Sequence, residues 1–221
     1  MKKIISLTLI FGLLVSGSLI YFEPEAAKAV AVSDSITVTQ SVTSEISITA
    51  PADVTMSSAI PGITGNAGAP RTGSATWTVI TNNATGFTLG MAASDTPAMQ
   101  LDTTWNFTDY TEATSTVPDY TWSSPAASAA EFGFSVEPAT AADTIAKYLD
   151  NALDLCNTGS TNTANKCWYS ASTTAETVIN RSTQTASAGE AEVIKFQTES
   201  NAKYLKEGSY IAYITVTATE N

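Results

Sequence analysis

Apolar and polar residues alternate with a period of two along most of the chain, the pattern of strands buried on one face. Ile36, Val38 and Val42 alternate with Ser and Thr, and Ile46 and Ile48 follow a turn at 43–45. Val54 and Met56 mark a further short strand. The stretch 61–73 holds four glycines and two prolines and reads as a loop, because these residues interrupt a sheet ladder.

The clearest pairing signal comes next. Ala75, Trp77 and Val79 share one face of 74–81, and Phe87, Leu89 and Met91 share one face of 86–92. Between them, Asn82-Asn83-Ala84-Thr85-Gly86 supplies residues that tolerate the positive φ of a tight turn, so the two strands are predicted to form a hairpin. The chain is irregular and aromatic over 95–128. A strand over 131–137 turns Phe132, Phe134 and Val136 inward and stops at Pro138. Further strands are expected over 166–170, 176–180, 190–198 and 208–219, the last with Tyr210, Ala212, Ile214 and Val216 on one face.

One helix is expected, over 140–155. Thr140 suits the N-cap, and Asp143 completes a capping box. Ile145, Tyr148, Leu149, Ala152 and Leu153 recur at helical spacing, and Asp143 pairs with Lys147 four residues on. Short strands at near-regular intervals with one insertion define a mainly β fold class, an antiparallel β-sandwich of jelly-roll or immunoglobulin-like type. The inserted amphipathic helix would lead directly into a disulfide loop.

The N-terminus has a different pattern. Lys2 and Lys3 precede an uncharged run from 4 to 22, followed by Pro24 and the small-residue sites Ala27-Lys28-Ala29 and Ala29-Val30-Ala31. A basic start, an apolar middle and an A-x-A exit make a secretory signal peptide over 1–31, leaving a single extracellular domain over 32–221. Retained instead of cleaved, the apolar run is long enough to anchor the chain in a bilayer.

Charge and composition narrow the function. The net charge is −11, and removing Lys2, Lys3, Lys28, Glu23 and Glu25 takes away a net +1, leaving −12. The remaining basic residues are scattered, which opposes binding to nucleic acid or anionic lipid. The chain contains no histidine, which excludes Ser-His-Asp and Cys-His catalysis and histidine zinc sites. No cofactor is expected. Cys156 and Cys167, the two cysteines, bracket ten small or polar residues. In an exported chain such a pair reads as a structural disulfide, contributing roughly 3 kcal/mol in the chain-entropy treatment.

Trp105, Tyr110, Tyr120 and Trp122 are the candidate ligand contacts, since flat rings stack on sugar faces. Asp102, Asp109 and Asp119 lie nearby, and two carboxylates suffice for a glycosidase without histidine. The same aromatics also fit core packing at strand spacing, which is the simpler reading. Asp150 and Asp154 would share one face of the helix, where a solvated surface is the expectation. Three N-x-[ST] triplets begin at Asn83, Asn106 and Asn180, and such triplets are common by chance in a chain this rich in Ser, Thr and Asn.

The stretch 45–91 resembles exported β-sandwich proteins of bacterial surfaces, in particular WxL-type wall-associated domains. The similarity rests on Trp77-Thr78-Val79, the Asn-rich turn, and Gly86-Phe87-Thr88-Leu89, together with the long closing strand over 208–219. Val79 stands where that family has leucine, and the closing strand lacks a second tryptophan. The resemblance implies a bacterial cell-surface β-sandwich. Three functions follow as expectations: a non-enzymatic structural or adhesive surface protein, a self-assembling fibre or matrix subunit, and a glycan-binding module. The expected partners are cell-envelope components or like subunits. In the second case, the strand-like ends 36–42 and 210–219 would complete a neighbour's sheet.

Overall fold

The computed structural model describes residues 31–138 and 143–221. The chain divides into two units, Met1–Ser41 and Val42–Asn221. Of the signal peptide expected over 1–31, residues 1–30 lie outside the described residues. Residues 31–41 are exposed and have no regular secondary structure, so the strand expected at 36–42 is not formed.

The second unit is mainly β, with ten strands among the described residues. They are β1 (Ile46–Thr49), β2 (Arg71–Thr81), β3 (Phe87–Ala93), β4 (Met99–Gln100), β5 (Asn106–Asp109), β6 (Ala129–Val136), β7 (Tyr169–Ser170), β8 (Glu176–Arg181), β9 (Glu190–Asn201) and β10 (Ile214–Glu220). The larger sheet has the order β1-β2-β9-β6-β5-β4, with β7 also on β6; the smaller has the order β10-β3-β8. All ladders are antiparallel except β5 on β6. Both sheets contribute to one core. Ala75, Trp77 and Val79 of β2, Phe132, Phe134 and Val136 of β6, and Ile194 and Phe196 of β9 join Phe87, Leu89 and Met91 of β3. These are the inward faces that alternation predicts.

The expected hairpin does not form. β2 and β3 belong to different sheets, and the turn at 82–86 carries the chain across the core instead of back alongside it. Alternation shows that each strand has one apolar face. It does not say whether the next strand lies beside it or opposite it. Gly86 alone of the turn residues takes a positive φ, 79°.

The expected helix over 140–155 is likewise absent. Thr140 lies outside the described residues, and a single 3-10 turn, Ala146–Tyr148, is formed between extended Ile145 and Leu149. The cause lies in side chains that capture helix-forming amides. Asn151 Oδ1 accepts from the N–H groups of Leu153, Asp154 and Leu155, and Asp150 accepts from those of Ala152 and Thr163. Asp150 is therefore buried and Asp154 exposed, not neighbours on a solvated face. The pair expected between Asp143 and Lys147 is replaced by Arg181–Asp143 and Lys147–Glu176.

Val54 and Met56 pack on the core without joining a ladder. The last strand is shorter than expected, although Tyr210, Ala212, Ile214 and Val216 do turn toward the core. The Cys156–Cys167 disulfide forms as expected, with both residues buried. Replacing both cysteines with serine is expected to lower unfolding stability by about 2–4 kcal/mol in urea titration. An unchanged midpoint would show that the surrounding loop holds itself.

Candidate functional site

A cluster of polar and aromatic side chains lies on the outer face of the larger sheet. There Glu131 and Gly133 of β6 stand opposite Glu199 and Gln197 of β9. Loops over 110–125 and 149–168 fold onto this face. Tyr110 and Trp122 stack with ring centroids 4.4 Å apart and planes 26° from parallel, and Trp168 meets Trp122 edge-on at 5.5 Å. Gly133 makes the stack possible. A Cβ there would lie 2.8 Å from Tyr110 Cβ and 3.1 Å from Trp122 Cζ3, so the rings rest on bare backbone.

Each polar end of the stack is satisfied. Tyr110 O–H donates to Asp119 Oδ2 at 2.7 Å and accepts from Ser123 N–H at 3.0 Å. Asp119 also accepts from Ala113 N–H. Trp122 Nε1–H donates to Glu199 Oε2 at 2.8 Å, and Gly68 N–H donates to Oε1 at 2.6 Å. Asp119 and Trp168 exchange backbone hydrogen bonds of 2.9 and 2.8 Å, so the residue following Cys167 is tied to the aromatic loop. Glu112 accepts from Ser170 N–H at 2.6 Å.

Of the four aromatics read from the sequence, the structure brings together Tyr110 and Trp122. Tyr110 is buried, and Trp122 packs on the outer sheet face, not in the sandwich core. Trp105 lies against Tyr204 at 5.8 Å, in a turn where Asp102 Oδ1 accepts from Thr104 and Trp105 N–H. Tyr120 lies under the Lys166 ammonium, 4.2 Å from its ring centroid. Asp109 caps Ala98 N–H, and burial raises its carboxyl against that bond. Sequence reasoning missed Glu112, Glu131, Gly133, Trp168 and Glu199. Trp168 carried a signal in its position next to Cys167, whereas Glu131 and Glu199 looked like ordinary polar positions on amphipathic strands.

Two further carboxyls differ from ordinary surface acids. Burial, with Glu199 and Glu112 adding like charge, pushes Glu131 up to about 7. Glu192 lies on the core face of β9, opposite Trp77, and its Oε1 has no hydrogen-bond partner. Burial, then Asp143 and Glu190, push it up to about 8, with Arg181 opposing. Arg181 Nη1 contacts Asp143 Oδ2 at 2.6 Å and Glu190 Oε2 at 3.4 Å. A carboxyl whose charged form is this poorly solvated is more stable protonated. Glu199, opposite Glu131 across the ladder, accepts two N–H bonds and braces the outer layer, while burial beside it favours the protonated form of Glu131.

Among the described residues, no group of three or more His, Cys, Asp or Glu is arranged to hold a metal ion, and no helix is long and apolar enough to cross a membrane. Compared with models of known protein families, with curated proteins and with solved structures, the chain matches none.

Gly133→Ala is expected to displace the Tyr110–Trp122 stack, costing about 1–3 kcal/mol and reducing the near-UV circular dichroism of the aromatics. An unaltered spectrum and stability would contradict this packing. Glu131 and Glu192 bind protons more tightly folded than unfolded, where carboxyls titrate near 4.5. Their contribution is full below that value and is lost as pH rises through about 7 and 8. Thermal unfolding is therefore expected at lower temperature at pH 8.5 than at pH 6, with the difference reduced in Glu131→Gln and Glu192→Gln. Equal midpoints in the unsubstituted protein would refute the assignment.

Proposed function

We propose that the protein is a non-enzymatic structural or adhesive module that works outside the cytoplasm at a bacterial surface. The observation carrying this reading is the buried Cys156–Cys167 disulfide, which is consistent with an extracellular location and closes the loop that ends at Trp168. Of the groups that the sequence offers for chemistry, Tyr110 bonds to Asp119, and Trp122 bonds to Glu199 of the sheet beneath it. Rigidity is what such a network supplies. The N-terminal signal pattern, the acidity and the resemblance to wall-associated β-sandwiches support the same reading. The partners are then cell-envelope components or further copies of the chain.

A second reading, a self-assembling extracellular subunit, is favoured by one specific observation. Ile36, Val38 and Val42 are 85%, 85% and 83% exposed, an apolar alternation left in solvent.

Fractionating the producing cells, with intact mass and thiol content read from each fraction, tests the location. The expected result is a processed, thiol-free form in the envelope fraction or the medium. An unprocessed form in the cytosol with both cysteines reduced would overturn the proposal.

A further inference from the structure

We propose that residues 36–42 of one copy add as a strand to the free edge of β10 in a second copy, completing its smaller sheet. This rests on the structural-module reading and names the partner as the same chain.

The acceptor is visible in how unevenly the core is closed. β10 ends the smaller sheet and pairs with β3 alone. Ile214, Val216 and Ala218 turn toward the core but stay half-exposed, although their cross-strand partners Ala93, Met91 and Leu89 are buried. The larger sheet ends in β1, which lies close to β10. Ile46 and Ile48 of β1 face the same way as the buried Thr81 and Val79 opposite them, yet Ile46 is half-buried and Ile48 is 37% exposed. The sandwich is therefore open along the side where both sheets end. An unpaired edge beside half-covered apolar side chains is a template for one more strand.

The donor is in the same sequence. Residues 36–42 number seven, as do those of β10. Ile36, Val38, Gln40 and Val42 form one alternating series, and Thr37, Thr39 and Ser41 form the other. β10 repeats this plan, with Ile214, Val216, Ala218 and Glu220 inward and Thr215, Thr217 and Thr219 exposed. Placed side by side, the apolar series covers the open core, and the hydroxyl series extends the Thr row on the outer face, where Thr–Thr and Thr–Ser neighbours are favourable. Residues 43–45 are held in place: Asn82 bonds Thr43 O and Glu45 N–H, and Ser44 Oγ bonds Glu220. Each copy thus has one donor segment and one acceptor edge. Their union is head-to-tail, and such contacts propagate into chains unless they close into a ring.

The test uses the exported protein, with light scattering across a concentration series and electron microscopy of the concentrated sample. The unsubstituted chain is expected to form concentration-dependent linear oligomers. Val38→Asp alters an exposed residue outside the sheets, so it is expected to keep the same unfolding midpoint while raising the association midpoint about tenfold or more. Thr39→Cys and Thr217→Cys proteins, when mixed, are expected to cross-link to each other, since residue 39 faces residue 217 in either strand direction and the existing cysteines are already paired. A strictly monomeric unsubstituted chain, or a Val38→Asp chain that associates equally well, would overturn the inference. So would a 39–217 cross-link forming only within a doubly substituted single chain. A monomer recovered from the envelope removes the assembly step and leaves the surface role standing, whereas linear oligomers of a cytosolic protein do the reverse.

Discussion

Strand β9 runs through the middle of the larger sheet, bonded to β2 along one edge and to β6 along the other, and both of its faces are covered. Its core face carries Ile194 and Phe196 into the shared apolar cluster. Its other face carries Gln197 and Glu199, also buried. A carboxylate in that position is tolerated only with hydrogen-bond donors aimed at it, and these come from Trp122 and Gly68. Burial of β9 on both sides therefore fixes where two distant loops must lie. The aromatic loop must deliver an indole N–H, and the glycine-rich loop must deliver a backbone amide.

From that constraint the rest of the domain follows in layers. The smaller sheet covers the core face. The loops at 110–125 and 149–168 cover the outer face, with the disulfide closing the second of them and Trp168 tying it to the first. Polar groups in this outer layer are consumed in holding it down, as with Tyr110 on Asp119 and Asp119 on Ala113. What the architecture leaves unfinished lies elsewhere, at the side where β1 and β10 end their sheets with apolar residues half in solvent. Structural investment and structural vacancy are separated in space, and the vacancy matches a segment the chain itself carries.

The sequence showed the inward faces of β2, β3, β6 and β10 correctly, because each depends on a local period of two at residues such as Trp77, Leu89, Phe134 and Val216. The disulfide was legible because only two cysteines exist. Pairing was not legible. Phe87 and Trp77 face one core from different sheets, and periodicity is blind to that distinction. The helix failed because Asp150 and Asn151 redirect amides locally while Ile145, Leu149 and Ala152 still repeat at helical spacing. Glu131 and Glu199 were invisible because a half-buried or buried carboxyl is spelled like an exposed one. Only the Trp122 donor and the Gly133 gap, far away in sequence, reveal the difference. The strand pattern at 36–42 is real as a pattern, and it joins no ladder among the described residues.

Hydrogen exchange read residue by residue tests the central claim, that the domain is a sandwich short of one strand, most directly. In dilute protein, β9 amides are expected to be strongly protected, while amides of 36–42 and the outward-pointing amides of β10 exchange freely. On concentration, the last two sets are expected to gain protection together. Protection of the β10 edge in the dilute monomer would contradict the account, because it would mean the sandwich is already closed. Free exchange at 36–42 in the assembled state would contradict it equally.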